Sequence, residues 1–189
     1  MQATGKYMVK WLGLSLGIGV IMGGLSTFFL NSLTFVTGLR ENNSWIIIFL
    51  PLVGLCFSFL YTKYGKNAQG GNNLVVSQAN GGEEKIPLRL IPLTLFGTIF
   101  THLTGGSVGR EGTAVQMGGS VADFFARFFK ITGADREVLI ASGMAAGFSS
   151  VFGTPLAGTV FALEVLIVGR IRTEALFPAF FAAFFGNLT

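Results

Sequence analysis

Gly105-Gly106-Ser107-Val108-Gly109-Arg110-Glu111-Gly112-Thr113 sets a charged pair, Arg110 and Glu111, inside a glycine-rich break between apolar segments. In water this would be an ordinary solvated loop. Its flanks are long and uncharged, which places the break within a membrane. There an ionisable side chain is costly and serves function. A carboxylate at such a break is a candidate gate or proton carrier for an ion.

The rest of the chain agrees with a membrane setting. Of its 189 residues 51% are hydrophobic and only 12% charged, against about 25% charged in a soluble domain, and the mean hydropathy is +0.64. The 27 glycines and 20 phenylalanines fit tightly packed helices in lipid, because small residues let backbones approach closely. The formal net charge of +4 comes from scattered basic residues, so it reads as topology and not as a nucleic-acid surface. Cys56 and His102 are each single, which excludes an intramolecular disulfide and a thiolate metal cluster. No metal, cofactor or enzymatic centre is expected. His102 reads as a hydrogen-bonded packing residue.

Uncharged runs mark the spans at residues 11–39, 44–62, 90–109, 138–163 and 175–188. Pro51 predicts a kink in the second run. Gly153-Thr154-Pro155 predicts that the fourth is two half-helices meeting near Phe152. The fifth is Phe-dense and too short to span upright. Polar glycine-rich stretches at 66–84 and around Glu111 interrupt the pattern, as in transporters whose discontinuous helices build a site near the midplane. Lys6, Lys10, Lys63, Lys66, Arg127, Lys130 and Arg136 fall on one side of this arrangement, which predicts a cytoplasmic N-terminus. Asp123 then lies near the cytoplasmic end of its segment, where a charge is expected to cost little.

Helix N-termini offer unpaired N–H groups and partial positive charge, so one aimed at the bilayer interior holds an anion without a fixed cation. Two places can supply them. Glu111-Gly112-Thr113 opens one helix, and Asn72-Asn73 precedes the short segment Leu74-Val75-Val76-Ser77. Glu111 can occupy the anion's place when charged and leave it when protonated. Arg110 reads as an anchor of the loop to neighbouring carbonyls or as a contact of the anion. A nucleotide-binding loop is excluded, because no Lys follows the glycines and no strand precedes them.

Gly109-Arg110-Glu111-Gly112-Thr113 resembles the GREGP motif of the CLC chloride channels and chloride/proton antiporters. Gly71-Asn72-Asn73-Leu74-Val75 falls where that family has GSGIP. Gly143-Met144-Ala145-Ala146-Gly147-Phe148, Gly153-Thr154-Pro155-Leu156-Ala157-Gly158 and Phe161-Ala162-Leu163-Glu164 are similar to the segments that follow. Asn72 in place of the family's Ser, Val75 in place of the Pro of GSGIP and Thr113 in place of the Pro of GREGP resemble the fluoride/proton antiporter branch. Glu164-Val165 lacks the second Glu of the pair seen in many chloride/proton exchangers.

The resemblance implies an all-α, polytopic membrane protein with tilted and discontinuous helices. Residues 1–189 would form one transmembrane region, the first inverted repeat and N-terminal half of a CLC-type subunit. It implies a multi-pass cell-membrane protein that exports fluoride against protons, with Glu111 as the gating and proton-coupling carboxylate and Asn72, Asn73, Arg110, Gly112 and Thr113 at the anion. It also implies homodimers formed through residues 154–168 and 176–187. A chloride channel or chloride transporter with an atypical site is the second reading, and a non-transporting membrane scaffold is the third. With the second repeat missing, this chain alone is not expected to form a complete conducting pathway.

Overall fold

A computed structural model of the chain describes residues 2–166 and 173–189. It is helical throughout, with no strand among the described residues. The last two positions of the first dimer segment, Ile167 and Val168, lie outside them.

The first helix, α1 (Gln2–Asn42), runs for 41 residues, about 60 Å, which exceeds an upright crossing of the hydrocarbon core. Trp11, Ile18, Met22, Phe29, Leu33 and Val36 are buried at heptad-like spacing, so one stripe faces the protein. Its other faces expose Val9, Leu16, Phe28 and Phe35, which is stable only against lipid or another chain. A second stretch, Ser44–Ala79, is also long and apolar enough to cross a membrane.

Within that stretch the backbone changes pitch repeatedly. A 3-10 segment (Ser44–Phe49) leads into α2 (Leu50–Leu60), then a π turn (Tyr61–Gly65) and a 3-10 turn (Lys66–Gly70) lead into α3 (Gly71–Ala79). Pro51 does not interrupt a helix. It stands in the first turn of α2, where its missing N–H leaves no intrahelical bond unmade. No residue of α2 is buried.

The remaining helices are α4 (Leu90–Leu103), α5 (Arg110–Phe128), α6 (Ala134–Phe152), α7 (Pro155–Leu166) and α8 (Thr173–Leu188). The break between α6 and α7 falls where the sequence predicts it. Gly153 adopts φ 70°, the left-handed conformation that ends a helix, and Pro155 opens the next one. In α8, the rings of Phe177, Phe181 and Phe185 contact one another at a tilt along one face.

Small residues hold the bundle together. A methyl on Gly118 would overlap the Gly143 carbonyl, and one on Gly147 would overlap the Ala114 carbonyl. Helices α5 and α6 therefore cross antiparallel, backbone against backbone. Helices α1 and α8 run parallel in register. Ser15 Oγ donates to the Pro178 carbonyl at 2.9 Å, and Gly19 and Gly23 meet Ala182 and Gly186 at the same sequence offset of 163 residues. Burying apolar area gives little here, because lipid is as apolar as the interior. Close backbone approach and interhelical hydrogen bonds decide the packing.

Asp123 departs from the expectation of an easily solvated charge. It is fully buried. Arg136 Nε donates to its carboxylate at 2.8 Å and the Ile86 N–H at 3.0 Å, while Arg127 Nε lies at 3.2 Å. Arg136 also donates to the carbonyls of Gly82 and Glu84, and Arg127 to that of Ile86. The cluster staples the loop after α3 to α5 and α6, and this is what the burial of a charge accomplishes here.

Candidate anion site

Two stripes of α5 do separate jobs. Ala114, Gly118 and Ala122 face α6. Gly112, Gln116 and Gly119 face α3, one turn apart each. Val75 packs into the space that a side chain on Gly119 would fill. That contact sets the start of α3 beside the start of α5. A Cβ on Gly112 would stand 2.8 Å from Asn72 Nδ2, so glycine is what lets the Asn72 amide reach the end of α5.

Helix α5 starts without a side-chain cap. Gly109, extended at φ −69° and ψ 128°, precedes Arg110. The N–H groups of the first turn are left without intrahelical partners. Glu111 lies in that turn, where the helix field favours a negative charge. Its carboxylate curls back over Gly109, with Oε1 3.0 Å from the place a Cβ would occupy. It is exposed and makes no hydrogen bond or ion pair among the described residues.

Asn72, Glu111, Gly112 and Thr113 line one cavity of about 650 Å³. Asn73 and Arg110 are not on its wall. Asn72 and Asn73 do not precede the helix but form its first turn, after Gly71 at φ 50°. Asn73 is exposed on the outside of that turn. Arg110 has no carbonyl partner among the described residues and borders a separate cavity of about 370 Å³ with Glu41 and His102. His102 Nδ1 bonds the Thr98 carbonyl oxygen at 2.9 Å, the packing role read from its sequence.

The opposite wall is hydroxyl-rich. Tyr61, Thr94, Thr98 and Thr101 line it, the threonines at i, i+4 and i+7 on one face of α4. Their hydroxyls have local partners, and Tyr61 and Thr94 bond each other. The Thr98 and Thr113 hydroxyls bond each other at 2.6 Å, and Thr101 donates to the Gly97 carbonyl at 2.7 Å. This wall presents hydroxyls that already have partners, and the α3–α5 wall presents N–H groups. Among the described residues Glu111 is the one charged side chain on the cavity, so an anion there meets dipoles and no fixed cation.

Sequence reasoning missed the threonine stripe and Gln116. Polar residues at helical spacing inside an apolar run were the signal for the first. For Gln116 it was the position one turn after Gly112.

Comparison with known proteins identifies the family. A chloride/fluoride channel protein of Pseudomonas syringae pv. tomato is 46% identical over 177 residues, 94% of this chain and 39% of the relative. An H(+)/Cl(-) exchange transporter of Vibrio cholerae is 30% identical over 81% of this chain and 36% of the relative. The crystal structure of a CLC-type fluoride/proton antiporter superposes with a TM-score of 0.91 and 44% identity, over 95% of this chain and 46% of that one. The chain thus spans less than half the length of the relatives it matches. The family model for the voltage gated chloride channel matches residues 53–189, and with the glycine-opened helix end, the carboxylate over it and the amide beside it, the chain belongs to that membrane transport family.

Proposed function

We propose that this chain supplies the gating half of an antiporter that moves fluoride against protons, with Glu111 as the gate. The observation that carries the reading is the Asn72 amide seated on Gly112 at the start of α5, beside a carboxylate that has no partner among the described residues. Charged, Glu111 occupies the N–H groups of the first turn. Protonated, it gives them up, and an anion takes its place. One group therefore ties anion movement to proton movement. Gly112 and Thr113 lend main-chain N–H groups to the anion. Arg110 and Asn73 act from outside the cavity, as field and support.

Fluoride fits this wall for a physical reason. It is small, hard and strongly hydrated, so dehydration is tolerable only where dense N–H donation replaces water. The names of the relatives support the same cargo: one is a chloride/fluoride channel protein, and the superposed structure is a fluoride/proton antiporter. Chloride transport is the second reading, favoured by the exchange transporter of Vibrio cholerae.

The setting is a bilayer with the N-terminus in the cytoplasm. Lys10 pairs with Asp135 at 2.7 Å and Arg89 reaches the Tyr64 carbonyl, so the starts of α1, α4 and α6 and the ends of α2 and α5 share one basic end. Leu156, Val160 and Leu176 leave an apolar face on α7 and α8, which supports a homodimer through these helices.

Efflux from proteoliposomes, read with fluoride and chloride electrodes on the full-length gene product, tests the reading. Fluoride efflux should exceed chloride efflux and be accompanied by proton uptake. Asn72→Ala should cut the fluoride rate about ten-fold, the loss of one hydrogen bond to a charged group. Unchanged fluoride flux in that variant refutes the anion site, and faster chloride than fluoride installs the second reading.

A further inference from the structure

Gln116 lies on the cavity wall, half-buried, and its carboxamide makes no hydrogen bond among the described residues. A glutamine retained for packing would place its amide on a backbone or side-chain partner. This one lies flat against the start of α3, its Oε1 and Nε2 3.6 and 3.8 Å from the point where Gly71 would carry a Cβ. Gly71 has φ 50°, so glycine is the residue that this backbone favours, and its missing side chain keeps the space over Gln116 open. Gln116 is also one turn beyond Gly112, about 6 Å along α5. The free N–H groups of the helix do not extend that far, because from the fifth residue on they are bonded within the helix.

We infer that Gln116 is a second amide donor to the transported anion, one turn deeper along α5 than Asn72, and so a specificity-determining residue. The inference rests on the transport reading given above. Rotation about the last side-chain torsion turns the NH2 toward the cavity, since that torsion is broad and no bond must be broken first. Of the facing threonines, Thr98 is engaged with the Thr113 hydroxyl, Thr101 with the Gly97 carbonyl and Thr94 with Tyr61. An anion leaving Asn72 and the first turn would otherwise meet hydroxyls that already have protein partners and the rings of Phe57 and Phe161. A carboxamide there gives back part of the lost hydration without a fixed charge, so the ion is held and then released.

The test is the KM for fluoride in proteoliposomes of the full-length protein, with Gln116→Met and Gln116→Glu beside the parent. Gln116→Met keeps the length and removes the donors. KM should rise about ten-fold while the proton-to-anion ratio stays unchanged. Gln116→Glu keeps the shape and replaces the donor with a carboxylate. Its KM should exceed the parent's by more at pH 7.5 than at pH 4.5, both normalised to the parent because Glu111 and Tyr61 also face the cavity. A residue packed away from the ion's path would not give that pH-dependent ratio, and the Gln116→Met value reports the donor itself. A KM for Gln116→Met within two-fold of the parent overturns the inference, as does a Gln116→Glu ratio equal at the two pH values. If Gln116→Met does not reconstitute, the Gln116→Glu ratio decides alone. A parent protein without fluoride or chloride flux refutes the transport reading itself. Normal parent flux, weakened by Asn72→Ala and untouched at Gln116, refutes only the second donor.

Discussion

Helix α5 carries two carboxylates about three turns apart, and their surroundings are opposite. Glu111 is exposed to the cavity without a partner among the described residues, and its available donors are the main-chain N–H groups of its own first turn. Asp123 is fully buried and meets the Ile86 N–H and the guanidinium groups of Arg127 and Arg136, all brought by other turns or elements. The same functional group is displaceable at one end and fixed at the other. What differs is who owns the donors. On the proposed reading, donors shared with an incoming ion make a gate. Donors dedicated to the acid make a staple, and this one fixes the loop after α3, whose other end carries Asn72.

Removing the packing between these two ends should have the largest effect. Gly118 lies between them with its Cα against the Gly143 carbonyl. Gly118→Val must push α5 off α6, beyond the about 1–3 kcal/mol of ordinary overpacking. The variant should give no monodisperse peak on size exclusion in detergent. A well-behaved Gly118→Val protein would mean that the two helices do not need this crossing. Asp123→Ala comes next. It leaves the Ile86 N–H and the partly buried Arg136 without their acceptor, which costs about 3–5 kcal/mol for a broken buried pair. A detergent melt should show a much lower melting temperature, and an unchanged melt would erase the contrast between the two acids.

The sequence makes one of these ends legible and hides the other. A charged pair among glycines between apolar runs announces Glu111, and Gly153-Thr154-Pro155 announces the break between α6 and α7. Both signals are local, since each depends on what a backbone without a Cβ or without an N–H can do. Asp123 carries no such mark. Arg127 is one turn away, but Arg136 and Ile86 stand 13 and 37 residues away, on α6 and in the loop after α3, and only the folded bundle brings them to Asp123. Gln116 was hidden for the same reason, because its meaning depends on Gly71 of α3 facing it. The sequence pattern puts Asn72 one step outside its helix. The 3-10 turn and the positive φ of Gly71 start α3 earlier than its apolar residues begin.

Glu111→Gln should have the smallest effect on the fold and the sharpest on transport. The side chain is exposed and has no partner among the described residues to lose, so the melting temperature should stay within about 2 °C of the parent. The amide keeps the size of the carboxylate and still leans over Gly109, but it takes up no proton between pH 4 and 8. Anion efflux should continue while proton uptake in the same vesicles disappears, so that the two fluxes no longer depend on each other. Helix α5 makes that outcome specific to its first turn. Asp123→Asn, the same chemical change three turns on, should lower the melting temperature and leave the proton-to-anion ratio of the surviving protein intact. If proton uptake persists in Glu111→Gln, the proton travels through another group, and Glu111 is then a plug for the helix end with no part in coupling.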